Sequence, residues 1–123
     1  MKHVLIVDDA LTVRRYHRQI LEAAGFRVSE AANGAEGLEK ALSDRFDLLV
    51  LDVNMPMMDG YTLLSTLRRE PALEAVPAIV VTTEHGPVQQ ARAEAAGANF
   101  MLVKPVPAAD LTLYATMLCG GVG

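Results

Sequence analysis

Residues 48–56 (LLVLDVNMP) constrain the fold more than any other part of the sequence. Four apolar residues lead directly to one carboxylate, Asp52, and an asparagine and a proline follow shortly after it. An uninterrupted apolar run of this kind is typical of a strand that is buried on both faces of a parallel sheet. An unpaired carboxylate is too costly to bury in a core. We therefore expect Asp52 at the carboxyl end of the strand, where open α/β sheets bind ligands.

Length and composition limit the class of protein. The chain has 123 residues, which predicts one domain with a real core rather than two. Its net charge of −4 argues against nucleic-acid binding, which favours a basic surface. No apolar run approaches the roughly 18 residues of a membrane helix, and residues 1–4 enter a strand at once, without room for a signal peptide. Because Cys119 is the only cysteine, an internal disulfide is excluded, and we expect a cytoplasmic protein without membrane insertion.

Short apolar runs bounded by turn residues predict five strands. Alternating apolar and polar residues in the second run indicate a half-exposed strand at an edge of the sheet. The predicted strands are residues 4–7, 26–29, about 46–51, 77–81 and 100–103.

Helical spacing predicts a helix after each strand. Gly25 and Pro71 are stop signals, Asp59 is a candidate N-cap, and Pro87 suits a first helical turn. In the second helix we expect Leu38, Ala41 and Leu42 to face inward. The predicted helices are about 11–24, 35–43, 60–69, 87–97 and 108–118, followed by a frayed tail at 120–123. This alternation favours one α/β domain with a parallel sheet and right-handed crossovers, but it does not fix the strand order.

Four of the predicted strands end in polar side chains. Asp8 and Asp9 follow the first strand, Asp52 the third, Thr82 the fourth and Lys104 the fifth. Because parallel strands end at one edge of the sheet, these side chains can converge. Three adjacent carboxylates raise each other's proton affinity, and a hard cation such as Mg²⁺ relieves that repulsion. A nucleophile, a cation and hydrogen-bond donors together suit phosphoryl transfer to a carboxylate.

Each of these residues also has an ordinary structural explanation when it is taken alone. Asp9 could cap the first helix, residues 52–54 could form a turn, Thr82 could bond to backbone, and Lys104 could be solvated. One shared site explains all four strand ends together, and we regard it as the better hypothesis.

Five segments of the chain occur in the order and at the spacing of a known family: 7–9 (VDD), 52–60 (DVNMPMMDG), 81–83 (VTT), 97–99 (GAN) and 104–105 (KP). They resemble the receiver domain of two-component response regulators, especially the single-domain chemotaxis type. The resemblance implies a flavodoxin-like doubly wound (βα)₅ sandwich with strand order 2-1-3-4-5. It also implies that residues 1–123 are one receiver domain without an output domain, and that the Lys104–Pro105 peptide is cis.

The resemblance implies a role for each matching residue. Asp52 is expected to accept a phosphoryl group from a phosphohistidine of a histidine kinase or phosphotransfer protein, and Thr82 and Lys104 to contact the phosphoryl oxygens. Ligands for Mg²⁺ (or Mn²⁺) are expected to be Asp8, Asp9, Asp52 and the backbone carbonyl of Asn54. A downstream protein target, or a second copy in a homodimer, is expected on the face made by the fourth helix, fifth strand and fifth helix.

Three further positions are expected to modulate the switch. Asn54 and Glu84 follow Asp52 and Thr82 by two residues, and family members similar at both places lose the phosphoryl group quickly. The family usually has Tyr or Phe three residues before the lysine, where this chain has Met101. Phe100 should point to the opposite face of the sheet. Met101 could either fill the aromatic's space or serve only in packing.

Two other classes of function remain open from the sequence. A phosphorylation-independent adaptor would not require the acids or Lys104. An Asp-nucleophile phosphohydrolase of the haloacid-dehalogenase kind needs a second acid where this chain has Asn54, which cannot act as a general acid. We therefore expect a stand-alone response regulator of a two-component phosphorelay. It would not be an enzyme for a separate substrate and would catalyse only its own phosphorylation and dephosphorylation.

Overall fold

A computed structural model of the protein describes residues 1–120, so most of the predicted tail lies outside the described residues. Strands and helices alternate along this whole length. The strands are β1 (His3–Val7), β2 (Arg27–Ala31), β3 (Leu48–Asp52), β4 (Ala78–Thr82) and β5 (Phe100–Val103). The helices are α1 (Leu11–Ala23), α2 (Gly34–Ser43), α3 (Gly60–Leu67), α4 (Pro87–Ala96) and α5 (Ala108–Leu118).

The five strands form one parallel sheet in the order β2-β1-β3-β4-β5, as the family resemblance implied. The predicted edge position of β2 is confirmed, because within residues 1–120 β2 pairs only with β1. In the register, Val7 lies opposite Leu51, and Thr82 lies opposite Val103. The residues that follow these pairs therefore leave the sheet at nearly the same level.

Side chains of each central strand alternate between two cores, one on each face of the sheet. Leu49 and Leu51 of β3 pack into the core beneath α2, α3 and α4, whereas Leu48 and Val50 pack into the core beneath α1 and α5. All five β3 residues are buried. The uninterrupted apolar run is therefore explained by helices covering both faces of the sheet.

Local sequence signals account for most of the helix ends. Asp59 caps α3 by accepting a hydrogen bond from the Thr62 amide at 2.8 Å, as predicted. Gly97 ends α4 in the left-handed conformation that favours glycine. The end predicted for α3 was too late, because α3 stops at Leu67, and the guanidinium of Arg68 binds the carbonyl oxygens of the following loop.

The inward orientation predicted for Leu42 was wrong, since 52% of its surface is exposed. Ala41 is buried and Leu38 packs against the core, so these two residues were assigned correctly. Gly37 supplies the rest of the inner face, because its bare Cα lies against Val7, where an added Cβ would approach to 2.8 Å. Within residues 1–120, no helix combines the length and apolar character required to cross a membrane.

Candidate functional site

Three acids meet at the carboxyl edge of the sheet. Asp52 is the last residue of β3, and Asp8 and Asp9 follow β1 directly. One carboxylate oxygen from each acid lies within 4.8 Å of the other two. Asp8 and Asp52 are each only 2% exposed, whereas Asp9 is exposed. The predicted convergence of these acids is therefore present in the structure.

Lys104 joins two of these acids. It follows β5, and its backbone amide donates to the Thr82 carbonyl at 2.8 Å, which fixes its position beside β4. Its Nζ lies 3.1 Å from Asp8 Oδ2 and 2.9 Å from Asp52 Oδ1. Burial acts to lower the pKa of Lys104, but the hydrogen bond to Asp52 and the charge of Asp8 outweigh it and raise that pKa. Lys104 is therefore a fixed cation between two carboxylates, and the peptide to Pro105 is cis, as expected.

The two oxygens of Asp52 have different surroundings. Oδ1 accepts hydrogen bonds from Lys104 and from the Asn54 backbone amide, the latter at 3.2 Å. Oδ2 is buried and has no hydrogen-bond partner among residues 1–120. Burial raises the pKa of Asp52, the hydrogen bond from Lys104 opposes this, and the charge of Asp8 adds to it, giving a pKa of about 6. An unpaired carboxylate would be too costly to bury. Asp52 can be buried because Lys104 compensates part of the cost of its desolvation.

The acid cluster has the chemistry of a site for a hard divalent cation. Mg²⁺ prefers carboxylate and carbonyl oxygens together with water. Asp8, Asp9 and Asp52 offer three carboxylates at one point, and the unpartnered Oδ2 of Asp52 leaves a buried acceptor for a ligand. These residues could therefore hold a metal ion.

Asn54 connects the loop after β3 to the loop after β4. Its side-chain oxygen accepts hydrogen bonds from the Thr83 amide at 3.0 Å, the Thr83 hydroxyl at 3.1 Å and the Thr82 hydroxyl at 3.4 Å. Thr82 Oγ1 also accepts from the Glu84 amide at 3.1 Å. The Thr82 hydroxyl is therefore held by its own loop and by Asn54. The role of Thr83 was not predicted from the sequence, because its partner Asn54 is distant along the chain.

Glu84 and Met101, the other two residues expected to modulate the switch, make different contacts. Glu84 is exposed, and its carboxylate accepts a hydrogen bond from Gln89 Nε2 at 3.0 Å. Met101 packs with the core beneath α2, α3 and α4, whereas Phe100 packs on the opposite face, as predicted. The Tyr61 hydroxyl lies 3.9 Å from the Met101 sulfur. An aromatic ring is thus present beside Met101, but α3 supplies it.

Gly60 allows the loop after Asp52 to return close to β3. An ideal Cβ at this residue would lie 2.4 Å from the backbone oxygen of Asp52, which is closer than real contacts allow. Its amide donates to the Val53 carbonyl at 3.2 Å. A larger side chain would therefore displace the end of the strand that carries the central carboxylate.

Residues 4–116 match the family model described as the response regulator receiver domain. The chain belongs to this family. Chemotaxis protein CheY-3 of Vibrio cholerae is 38% identical over 109 residues, covering 88% of this chain and 84% of that protein. The gliding motility regulatory protein of Myxococcus xanthus is 36% identical over 101 residues, which are 82% of this chain and only 13% of that much longer protein.

Solved receiver structures resemble this chain more closely in architecture than in sequence. Chemotaxis response regulator CheY4 of Vibrio cholerae has a TM-score of 0.91 at 36% identity, covering 96% of this chain and 98% of that one. The receiver domain of a signal transduction histidine kinase from Syntrophus aciditrophicus has a TM-score of 0.90 at 33% identity, covering 99% and 92%. Receiver domains are signalling switches that interact with histidine kinases or phosphotransfer proteins and with downstream targets.

Proposed function

We propose that Asp52 of this receiver accepts a phosphoryl group from a phosphohistidine on a histidine kinase or phosphotransfer protein. The observation that carries the proposal is the divided environment of the Asp52 carboxylate. Lys104 and the Asn54 amide occupy Oδ1, whereas Oδ2 is buried without a partner and beside two further acids. A carboxylate held in this way has one oxygen for orientation and one for attack.

In the proposed reaction, Asp52 Oδ2 attacks phosphorus while the P–N bond to the donor histidine breaks. The electron pair of that bond stays on the imidazole nitrogen, so the number of electrons is conserved. The Lys104 ammonium, 2.9 Å from Asp52 Oδ1, is close enough to bind an oxygen of the incoming phosphoryl group. Fixed donors aimed at the developing charge are the main contribution of a protein to this class of reaction.

Mg²⁺ (or Mn²⁺) is the proposed cofactor. Asp8, Asp9, Asp52 and the backbone carbonyl of Asn54 are the proposed ligands, supported by the close approach of the three carboxylates. When bound, the ion supplies positive charge that keeps Asp52 ionised and neutralises charge on the phosphoryl oxygens. Because the pKa of Asp52 without an ion is about 6, such charge extends the nucleophilic form to lower pH.

The signal is proposed to pass through Thr82. Its hydroxyl now contacts Asn54 at 3.4 Å and accepts from the Glu84 amide. Binding a phosphoryl oxygen instead would break the contact to Asn54 and pull on the loop that leads into α4. Asn54 and Glu84 are polar groups on the two loops beside the site, and we propose that they admit and orient water, so that the phosphorylated state is short-lived.

We further propose a stand-alone cytoplasmic regulator of the chemotaxis type, whose target binds the α4–β5–α5 face. The aligned region covers a similar share of this chain and of CheY-3, 88% and 84%. Val103, Leu113 and Met117 are exposed apolar residues on β5 and α5, which suits a protein partner or a second copy. Capture of a partner by immobilised protein should increase with beryllium fluoride, a phosphoryl mimic, and equal capture without it would contradict this use of the face.

Phosphorylation can be tested directly with acetyl phosphate and Mg²⁺ by intact-mass spectrometry. The wild-type protein should gain one phosphoryl group, Asp52→Ala should gain none, and Asp110→Ala, which changes an exposed aspartate of α5, should behave as wild type. Omission of Mg²⁺, or Asp9→Asn at limiting Mg²⁺, should slow the gain.

Failure of wild-type protein to gain mass from acetyl phosphate or from any phosphorylated kinase would favour the phosphorylation-independent adaptor. Sustained release of phosphate from small phosphomonoesters would instead favour the phosphohydrolase. Equal gain by wild type and Asp52→Ala would place the acceptor elsewhere.

A further inference from the structure

A chain of hydrogen bonds leads from Glu84 to α3. The Gln89 side chain on α4 donates through Nε2 to Glu84 Oε2 at 3.0 Å, and its Oε1 accepts from the Tyr61 hydroxyl at 2.9 Å. The orientation of the amide is fixed by chemistry, because an ionised carboxylate can only accept and the nitrogen must therefore face Glu84. Gln89 thus connects an exposed acid of the β4–α4 loop to a buried residue of α3.

Tyr61, at the α3 end of these hydrogen bonds, is held in a fixed position. Its side chain is 5% exposed and belongs to the core beneath α2, α3 and α4. Arg92 of α4 lies over its ring at 4.7 Å and also pairs with Asp59 at 3.7 Å. Burial raises the pKa of Tyr61, so its hydroxyl keeps the proton that it donates to Gln89. The ring and its donor therefore have one defined position.

Glu84 is tied at its backbone as well as at its side chain. Its amide donates to Thr82 Oγ1 at 3.1 Å, so one residue links the Thr82 hydroxyl to Gln89. An exposed glutamate without such ties samples many rotamers, and holding it in one geometry costs entropy. The contact from Gln89 supplies a restraint that the loop alone lacks.

We propose that Gln89, held by the Tyr61 hydroxyl, positions the Glu84 carboxylate and thereby sets how fast phospho-Asp52 loses its phosphoryl group. This inference rests on the proposed function, because it concerns the lifetime of the phosphorylated state. Gln89 and Tyr61 are positioning residues that act through Glu84, and neither touches the reacting atoms. In this proposal, the geometry that Gln89 holds is the one in which the Glu84 carboxylate orients water, so loss of the restraint slows hydrolysis.

The first test uses unphosphorylated protein, so that it does not depend on phosphorylation. In ¹⁵N-resolved NMR spectra, the side-chain amide signals of Gln89 should shift in Glu84→Ala and in Tyr61→Phe, because each variant removes one of its partners. The amide signals of the exposed neighbour Gln90 should remain in place. Gln89 signals that stay unchanged in both variants would overturn the proposed geometry.

The second test measures decay of phospho-Asp52 after removal of acetyl phosphate. Gln89→Met keeps the length of the side chain and removes both polar groups, and it should slow decay roughly threefold, the effect of one modest hydrogen bond. Tyr61→Phe should change the rate in the same direction by less. Gln90→Met makes the same chemical change one residue further along α4 and should leave decay unchanged.

The effect must depend on Glu84 if Gln89 only positions that residue. In a Glu84→Ala background, Gln89→Met should therefore have no effect on decay. An equal effect in both backgrounds, no effect in either, or faster decay in Gln89→Met would overturn the inference. Absence of any phosphorylation in wild-type protein would instead refute the proposed function, so the two failures are distinguishable.

Discussion

Buried polar groups have opposite surroundings at the two ends of the strands, which we call the amino edge and the carboxyl edge of the sheet. At the amino edge, His3 is buried with both ring nitrogens bonded, Nδ1 to the Arg45 carbonyl at 3.0 Å and Nε2 to the Ser29 hydroxyl at 2.7 Å. At the carboxyl edge, Asp8 and Asp52 are buried side by side, and Asp52 Oδ2 has no partner within the described chain.

Arg68 strengthens the contrast. Its guanidinium donates to the carbonyl oxygens of Leu73, Val76 and Gly97, which precede β4 and β5 at the amino edge. Satisfied polar groups of this kind stabilise the fold, because each would be costly if left unpaired. The carboxyl edge carries repulsion between carboxylates and a cost of desolvation, and Lys104 compensates only part of them. The amino edge therefore stabilises the domain, whereas the carboxyl edge keeps a buried acceptor atom available for a ligand.

The largest expected effect is loss of stability at the amino edge. Arg68→Met should lower the free energy of unfolding by about 3 kcal/mol, because three buried or half-buried carbonyls lose a charged donor. Chemical denaturation should measure this change, with Arg69→Met, an exposed neighbour, as a control of small effect. Folded Arg68→Met protein should still gain a phosphoryl group. A loss below about 0.5 kcal/mol would contradict the claim that the Arg68 hydrogen bonds at the amino edge stabilise the fold.

At the carboxyl edge, removal of a charge should stabilise the protein. The pKa of Asp52 rises from 3.8 to about 6 on folding, so between these values the folded protein binds more protons than the unfolded chain. Stability therefore falls as pH rises through this window, and at about pH 7.5 the ionised group carries the full cost. Asp52→Asn should raise the free energy of unfolding by about 1–2 kcal/mol there, a value reduced for the lost attraction to Lys104.

The gain in Asp52→Asn should shrink as pH is lowered from about 6 to about 4, because wild-type Asp52 then becomes neutral as well. Urea titrations across this range would measure it, with Asp110→Asn as the exposed control. A gain that is independent of pH would show that ionisation of Asp52 is not its source.

Addition of Mg²⁺ should reduce the contrast between the two edges, because it should make the carboxyl edge stabilise the folded protein as well. At ten times its dissociation constant, an ion that binds only the folded protein raises the free energy of unfolding by about 1.4 kcal/mol. Asp9→Asn should reduce this increment at the same Mg²⁺ concentration, because it removes one carboxylate of the cluster. Thermal denaturation with and without Mg²⁺ would measure both values, and an increment unchanged by Asp9→Asn would exclude that residue as a ligand.

The smallest effect is expected at Met101, which lies away from both edges. Met101→Leu conserves volume and should cost less than about 1 kcal/mol of stability. If Met101 serves only in packing, phosphoryl uptake and decay should also be unchanged. A shift of either rate beyond about twofold would indicate that its contact with the Tyr61 hydroxyl, at 3.9 Å, takes part in the switch.

The sequence predicted the features that local pattern determines. Apolar runs ending in Asp8, Asp52 and Lys104 were sufficient to predict that these three side chains meet, because parallel strands end at one edge. Thr82 follows the same pattern, but its hydroxyl contacts Asn54 and the Glu84 amide. Family resemblance supplied the strand order, which periodicity left open. The predicted place of Asp52 at the carboxyl end of β3 is confirmed. Its near-complete burial was not predicted, because burial depends on the pairing of this carboxylate with the Lys104 ammonium.

Contacts between loops and helices escaped prediction for a related reason. Thr83 bonds to Asn54 across 29 positions, and Tyr61 bonds to Gln89 across 28. Each of these residues is unremarkable in its own segment, and only the packing of α3 against α4 and of two loops against each other brings them together. The prediction for Leu42 was wrong because it assigned a buried position to an exposed side chain. Glycine at residue 37 lets α2 approach β1 closely, so the buried face of α2 is narrower than its apolar residues suggest.

The tight approach of Gly60 to the Asp52 carbonyl has a consequence for how such a protein can evolve. A substitution there disturbs the end of β3 that carries Asp52, the proposed acceptor, so mutation at this position offers no gradual route to a different response. Thr83 and Glu84 lie on an exposed loop, and the side chain of each makes one hydrogen bond, so substitutions there change the structure in small steps. Under the proposed role of Glu84, natural selection could therefore adjust the lifetime of the phosphorylated state through the loop after β4, while the backbone beside Gly60 stays constant.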